Sequence, residues 1–202
     1  MSKPLYLASQ SPRRLELLRQ VGLEPTVLPL RSARGRADVD ETPFPQEVAR
    51  DYVLRVARMK AAAALIAQAR RRLPPWPILA ADTTVTIDGR ILGKPADAAE
   101  ARVMLERYSG RSHTVFTAVA AAYQGKLDVA LSESVVTFKT LGEAEIAAYV
   151  ATREPFDKAG GYGIQGRAAL FVEHLVGSHS GVVGLPLHET GALLEGLGFS
   201  VW

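Results

Sequence analysis

The sequence predicts an α/β fold, a mixed and twisted β-sheet with flanking helices. Three observations carry that expectation. Segments with helical periodicity alternate with short apolar or β-branched runs, so sheet and helices share one layered arrangement. Asp88-Gly89 and Gln124-Gly125 join extended segments through two-residue turns, which makes part of the sheet antiparallel. Apolar residues make up 48% of the 202, enough for a sizeable core without cross-links. The length suits a single domain of two lobes around a cleft, spanning residues 1–202.

In chain order, Leu5-Tyr6-Leu7-Ala8 reads as a short buried strand. Ser11-Pro12 then opens a helix, because serine caps well and proline fits the first helical position. Leu15, Leu18 and Val21 recur at helical spacing, and Gly22 closes the helix. Residues 24–45 read as irregular, with Pro25, Pro29, Pro43 and Pro45 and a basic-then-acidic stretch from Arg31 to Glu41. A long helix from about Gln46 to Arg72 follows, with Val48, Tyr52, Val56 and Met59 as its apolar stripe, until Pro74, Pro75 and Pro77 stop it.

Ile78 to Ile87 is a strand, Asp88-Gly89 its turn, and Ile91-Leu92 the start of the return. Asp97 and Glu100 form a capping pair for a helix ending near Ser109-Gly110. Strands at about Ser112–Tyr123 and Lys126–Phe138 come next, and Thr140 with Glu143 repeats the capping pattern for a helix to Ala151. Residues 154–166, EPFDKAGGYGIQG, form a glycine-dense loop before a strand at Ala169–Val172. The polar turn GSHSG at 177–181 leads through Gly184-Leu185-Pro186 to a last helix with Leu193, Leu194 and Leu197.

Composition narrows the chemistry. There is no cysteine, which excludes disulfides, thiolate metal sites and a cysteine nucleophile. The opening MSKPLYLASQ lacks the basic segment and apolar run of a signal peptide, and no stretch approaches the roughly 20 apolar residues of a membrane helix. A cytoplasmic protein with no membrane partner is expected. Net charge is +3, but residues 1–72 hold 14 Lys/Arg against 7 Asp/Glu, so the basic part suggests an anionic ligand. The plainer reading is a solvated helix face, which covers Arg50, Arg55, Arg58, Arg70, Arg71 and Arg72.

Four constellations carry possible chemistry. Ser9, Ser11, Arg13 and Arg14 stand at a helix start, where free N–H donors attract phosphate; two arginines oppose the dipole there unless an anion balances them. The alternative is an exposed cap with two solvated arginines. Asp82 interrupts an apolar strand, where burial is costly without a partner, a metal ion or a proton-accepting role. Lys94, after the Asp88-Gly89 turn, folds back toward the same cleft. Four glycines within seven residues, from Gly160 to Gly166, let backbone approach a ligand, and Gln165 there offers both donor and acceptor. The alternative for that segment is a structural loop. His113, His174, His179 and His188 lack metal-site spacing and read as structural, and Trp76 and Trp202 read as packing residues.

Taken together, these segments resemble the Maf family of nucleoside triphosphate pyrophosphatases, in its dTTP/UTP branch. The resemblance rests on residues 7–18 (LASQSPRRLELL), Asp40-Glu41, Arg55 to Ala61, Ala81-Asp82-Thr83, Gly93-Lys94-Pro95, residues 109–115 (SGRSHTV), residues 157–166 (DKAGGYGIQG) and Val183 to Leu187. The chain departs from the pattern in an arginine-rich stretch before Asp40 and in Gly161 and Gly181.

The resemblance implies an inosine triphosphatase-like fold and release of pyrophosphate aided by Mg²⁺ or Mn²⁺. It implies functional roles for Ser9, Arg14, Glu41, Lys60, Asp82 and Lys94, with Asp82 as proton acceptor and Glu41 with Asp82 as metal ligands. Arg13, Thr83 and Gln165 match the positions that separate the pyrimidine branch from the 7-methyl-GTP branch. The expected partner is a small nucleoside triphosphate; dimers are common in the family. Two alternatives stand beside this reading: a 7-methyl-GTP or purine triphosphate pyrophosphatase, and a nucleic-acid-binding or cell-division regulatory protein. No recognisable nucleic-acid module supports the latter.

Overall fold

The computed structural model describes residues 4–31 and 38–202. Much of the basic-then-acidic stretch expected from Arg31 to Glu41 lies outside the described residues. The element order is β1 (Tyr6–Leu7), α1 (Pro12–Gln20), β2 (Thr26–Val27), α2 (Ala49–Arg70), β3 (Ile78–Ile87), β4 (Arg90–Leu92), α3 (Ala98–Tyr108), β5 (Ser112–Tyr123), β6 (Lys126–Phe138), α4 (Glu143–Ala151), β7 (Val172–Val176), α5 (His179–Val183) and α6 (Leu187–Gly196). Short 3-10 turns occupy Glu154–Asp157, Ala159–Gly161 and Arg167–Phe171.

One seven-stranded mixed sheet runs β2-β1-β3-β5-β6-β7, with β4 beside β3. β1 pairs parallel with β2 and β3; the pairs β3-β4, β3-β5, β5-β6 and β6-β7 are antiparallel. Both hairpin turns behave as expected, with positive φ at Asp88 and Gly89 and at Gln124 and Gly125, the geometry that follows strand twist.

Side-chain alternation along the strands builds two cores on opposite faces. On one face Leu5, Leu7, Leu79, Ala81, Val119 and Ala121 pack on Leu17 and Leu18 of α1 and Leu194 of α6. On the other, Tyr6, Ala80, Ala118, Ala120 and Ala122 meet Val53, Ala57, Ala61 and Ala64 of α2. Alanine facing alanine lets α2 lie close to the sheet. A third core surrounds Val85, Val115, Val136 and Phe138 with α3 and α4.

Several local expectations need correction. The buried stripe of α2 runs through Val53, Val56, Ala57, Ala61 and Ala64, whereas Val48 is exposed. The small residues are inside because the alanine-rich sheet leaves no room for larger ones. Ser11 occupies the N-cap position of α1 without a side-chain capping bond. α4 starts at Gly142 rather than Thr140, with the Glu145 carboxylate accepting from the Gly142 N–H at 3.0 Å. The strand expected at Ala169–Val172 begins at Val172; the residues before it form a 3-10 turn. The polar 177–181 segment enters a short helix, α5, capped by Ser178. β2 lies inside the stretch read as irregular. Trp76 stacks on Tyr6, but Trp202 is fully exposed and packs no core.

Candidate active site

β3 changes neighbours along one edge. Its other edge pairs with β5 from Ile78 to Thr86 without a break. On the open side, Ile78 and Leu79 pair with β1, and pairing resumes with β4 only at Val85. Residues 80–84 therefore face a window between two strands, and Asp82 and Thr83 sit in it. Successive side chains point to opposite faces, so Asp82 meets Lys60 of α2 and Thr83 meets Arg14 of α1.

Asp82 is only 6% exposed. Lys60 Nζ donates to its Oδ1 at 2.8 Å and lies 3.1 Å from Glu41 Oε2, so one ammonium joins both carboxylates. Burial raises the Asp82 pKa above the ordinary carboxylate value, and Lys60 and Arg14 oppose that rise. A carboxylate made more basic by burial, yet still paired with a cation, is suited to accepting a proton. Glu41 is half exposed, and its backbone carbonyl accepts from the Tyr52 hydroxyl at 3.0 Å.

Arg14 fills the window. Its Nη1 donates to the Ala81 carbonyl at 2.8 Å, replacing a ladder bond that no strand supplies, and to Ser9 Oγ at 3.2 Å. Nε donates to the Gly184 carbonyl at 2.8 Å and Nη2 to Thr83 Oγ1 at 3.2 Å. The five-donor fork of arginine is thus largely consumed by the protein, leaving one N–H on Nη2. Arg13 is answered by Asp157, whose Oδ2 accepts from Nη1 at 3.1 Å. The two cations at the start of α1 are therefore balanced by a carboxylate and by carbonyl dipoles of the same chain. Sequence reasoning looked for that balance in a phosphate.

A cavity of about 770 Å³ opens at this window, within the usual range for ligand pockets. Ser9, Arg14, Asp40, Glu41, Lys60 and Lys94 are among its lining residues. Asp82 does not line it but reaches it through Lys60. The loop bearing Lys94 is tied to the glycine segment by Gly160 N–H donating to the Gly93 carbonyl at 2.9 Å. Gly160 has φ +75°, and a Cβ there would lie 2.6 Å from Val85 Cγ2, so only glycine fits this approach.

Gln165 is exposed in the turn closed by Gly166 N–H to Gly163 carbonyl at 3.0 Å, and makes no side-chain hydrogen bond among the described residues. Tyr149 and Glu154 brace that turn: Tyr149 Oη accepts from Gly163 N–H, and Glu154 Oε2 from Arg167 N–H. Arg13 belongs to the same surroundings through Asp157, in the segment that carries Gln165.

The structure thus joins Ser9, Arg14, Thr83, Asp82, Lys60 and Glu41 by direct contacts, and brings Lys94 into their cavity. Asp157, Thr117 and the Gly184 carbonyl were not singled out from sequence. For Asp157 a signal existed, since an acid beside a glycine run could answer the arginines. Arg55 is not a solvated helix residue: it is bonded to Glu47 at 2.6 Å and stacks over Phe44 at 4.0 Å. His113 is buried and bonded to Tyr162 at 2.7 Å, a structural role.

A divalent cation bound with a polyphosphate needs one or two carboxylates, the remaining ligands coming from phosphate oxygens and water. Glu41 and Asp82, gathered by a single ammonium, meet that requirement. No group of three or more acidic or imidazole side chains forms a metal cage among the described residues. No helix among them is long and apolar enough to cross a membrane.

Comparison with known proteins is consistent with this geometry. The chain is 51% identical over 199 residues to the dTTP/UTP pyrophosphatase of Nitrosomonas europaea, covering 98% of this chain and 96% of that protein. It is 53% identical over 192 residues to the dTTP/UTP pyrophosphatase of Nitrosospira multiformis, covering 95% and 93%. A nucleoside triphosphate pyrophosphatase of Haemophilus ducreyi is 50% identical over 201 residues, covering 100% and 98%. The Ham1 protein of Staphylococcus aureus shares the fold at a TM-score of 0.53 and 14% identity, over 96% of this chain and 99% of that one. The family model described as Maf-like protein matches residues 4–197, and the chain belongs to the Maf family.

Proposed function

We propose that the protein hydrolyses pyrimidine nucleoside triphosphates, dTTP and UTP, to the monophosphate and pyrophosphate, as a housecleaning enzyme of the cytoplasmic nucleotide pool. The observation that carries this reading is the window in β3, where a buried, basic carboxylate lies beside a cation-lined cavity of ligand size. The names of the relatives support the substrate class.

Lys60 and Lys94 bind the triphosphate tail, and the remaining N–H of Arg14 adds a donor. Glu41 and Asp82 would hold Mg²⁺ or Mn²⁺, which when bound neutralises phosphate charge and favours departure of pyrophosphate. A water attacks the α-phosphorus; Asp82 accepts its proton, and the bond from that phosphorus to the bridging oxygen breaks. No covalent nucleophile is needed, because positioning and charge stabilisation carry most phosphoryl chemistry. Arg13, Thr83 and Gln165 form the base-reading side.

The test is a panel of triphosphates, including UTP, dTTP, 7-methyl-GTP and purines, incubated with and without Mg²⁺ or Mn²⁺ while pyrophosphate is quantified. Metal-dependent pyrophosphate release from UTP and dTTP supports the reading. Orthophosphate as sole product, or a preference for 7-methyl-GTP, refutes it.

A further inference from the structure

Thr117 lies on β5 directly opposite Thr83 and is 1% exposed. Its Oγ1 is 2.7 Å from the Gly181 carbonyl and 3.0 Å from Thr83 Oγ1. A threonine hydroxyl has one proton, and a carbonyl can only accept. The Thr117 proton therefore goes to Gly181, and the contact with Thr83 is made by a proton from Thr83. On its other side Thr83 Oγ1 accepts from Arg14 Nη2 at 3.2 Å, and a guanidinium can only donate. Thr83 is left with one lone pair and no free proton.

We propose that Thr117 is a specificity-determining positioning residue. By anchoring its own proton on Gly181, it holds the partly exposed Thr83 hydroxyl as a pure acceptor. Such a group takes a base edge that donates, the N3–H of the imide shared by uracil and thymine. Cytosine presents a lone pair at N3, and two acceptors then face each other without a proton between them. Gln165 cannot make this distinction alone, because its amide can turn to offer either donor or acceptor. The inference rests on the reading above that Thr83 faces the base.

The experiment measures kcat/KM for UTP and CTP in the wild type, Thr117→Val, Thr117→Ser and Thr83→Val. The wild type is expected to favour UTP by about tenfold or more, the scale on which a mismatched polar group rejects a substrate. In Thr117→Val the Thr83 proton is released, and the UTP/CTP ratio falls by about tenfold. Thr117→Ser retains the anchored proton and the wild-type ratio. A wild type that does not separate UTP from CTP overturns the proposal, whatever the variants do. So does a folded Thr117→Val with an unchanged ratio when Thr83→Val has lost it. If neither substitution moves the ratio, Thr83 does not face the base, and the underlying reading fails with it. Melting temperatures recorded on each variant separate loss of the Gly181 bond from loss of selectivity, since packing alone moves the first and leaves the second.

Discussion

Asp82 shows how one residue combines a structural cost with a chemical use. A strand interior disfavours aspartate, and burial disfavours its charge. Lys60 and Arg14 keep the ionised form accessible, while burial leaves its pKa raised. Two predictions belong here. Asp82→Asn lowers kcat for UTP by about 10²- to 10⁴-fold, the share a general base contributes, with cooperative unfolding retained; turnover and a urea melt check both. The acid limb of wild-type kcat/KM lies above the ordinary aspartate value of 3.8, because the free enzyme must lose the proton from a carboxyl whose pKa is raised. Activity is present above that pKa and disappears as pH falls through it. A limb at or below 3.8 would show that another group governs the proton transfer.

Most of the site was legible at this scale because charge in the wrong place is conspicuous: an acid in a strand, cations at a helix start. Less legible was what answers those charges. Arg14 is satisfied by carbonyls of Ala81 and Gly184, distant in sequence, and carbonyls leave no mark on side-chain pattern. Thr117 was equally silent, since threonine is ordinary in a strand and its meaning comes from the register opposite Thr83.

Among the elements, β3 does most to create the site. Its long continuous pairing with β5 holds the backbone rigid while its other edge passes from β1 to β4. The strand itself is plain in the sequence, but its change of partner is not, because β1 and β4 come from separate parts of the chain. Long elements with strong turn signals, such as β5 and β6, emerge with the bounds expected. Short ones, β2 and α5, escape because two to five residues show no periodicity. The α2 stripe was misplaced because alanine, weak as a hydrophobic signal, is the residue that fits against an alanine sheet. The glycine segment makes a prediction of its own. Gly160→Ala forces a left-handed residue against Val85, so it should destabilise by about 1–3 kcal/mol and raise KM by displacing the Lys94 loop. Denaturant titration and Michaelis kinetics on the variant test it; unaltered values in both would show that the Gly160–Gly93 contact positions nothing.

For the molecule as a whole, the fold class followed from alternation and hairpin signals, and the sheet carries both faces of the site on one strand. The third core reaches the site through the glycine segment, which makes its stability relevant to function. His113 is buried there, with Nε2 on Tyr162 and Nδ1 unpartnered, and burial lowers its pKa to about 3. A histidine whose folded pKa is depressed contributes stability that is complete above its unfolded value of 6.5 and is lost as pH falls toward 3. Unfolding free energy should therefore decline through this window with a His113 contribution of up to about 1.4 kcal/mol per pH unit. His113→Phe should show a shallower decline, and equal slopes would place the proton uptake elsewhere.

The most direct test of the account follows oxygen. Hydrolysis of UTP in ¹⁸O-labelled water, read by mass spectrometry of both products, reports which phosphorus the water attacks. Attack at the α-phosphorus beside Asp82 places the label in UMP and leaves pyrophosphate unlabelled. Label in pyrophosphate, with UMP unlabelled, would contradict it.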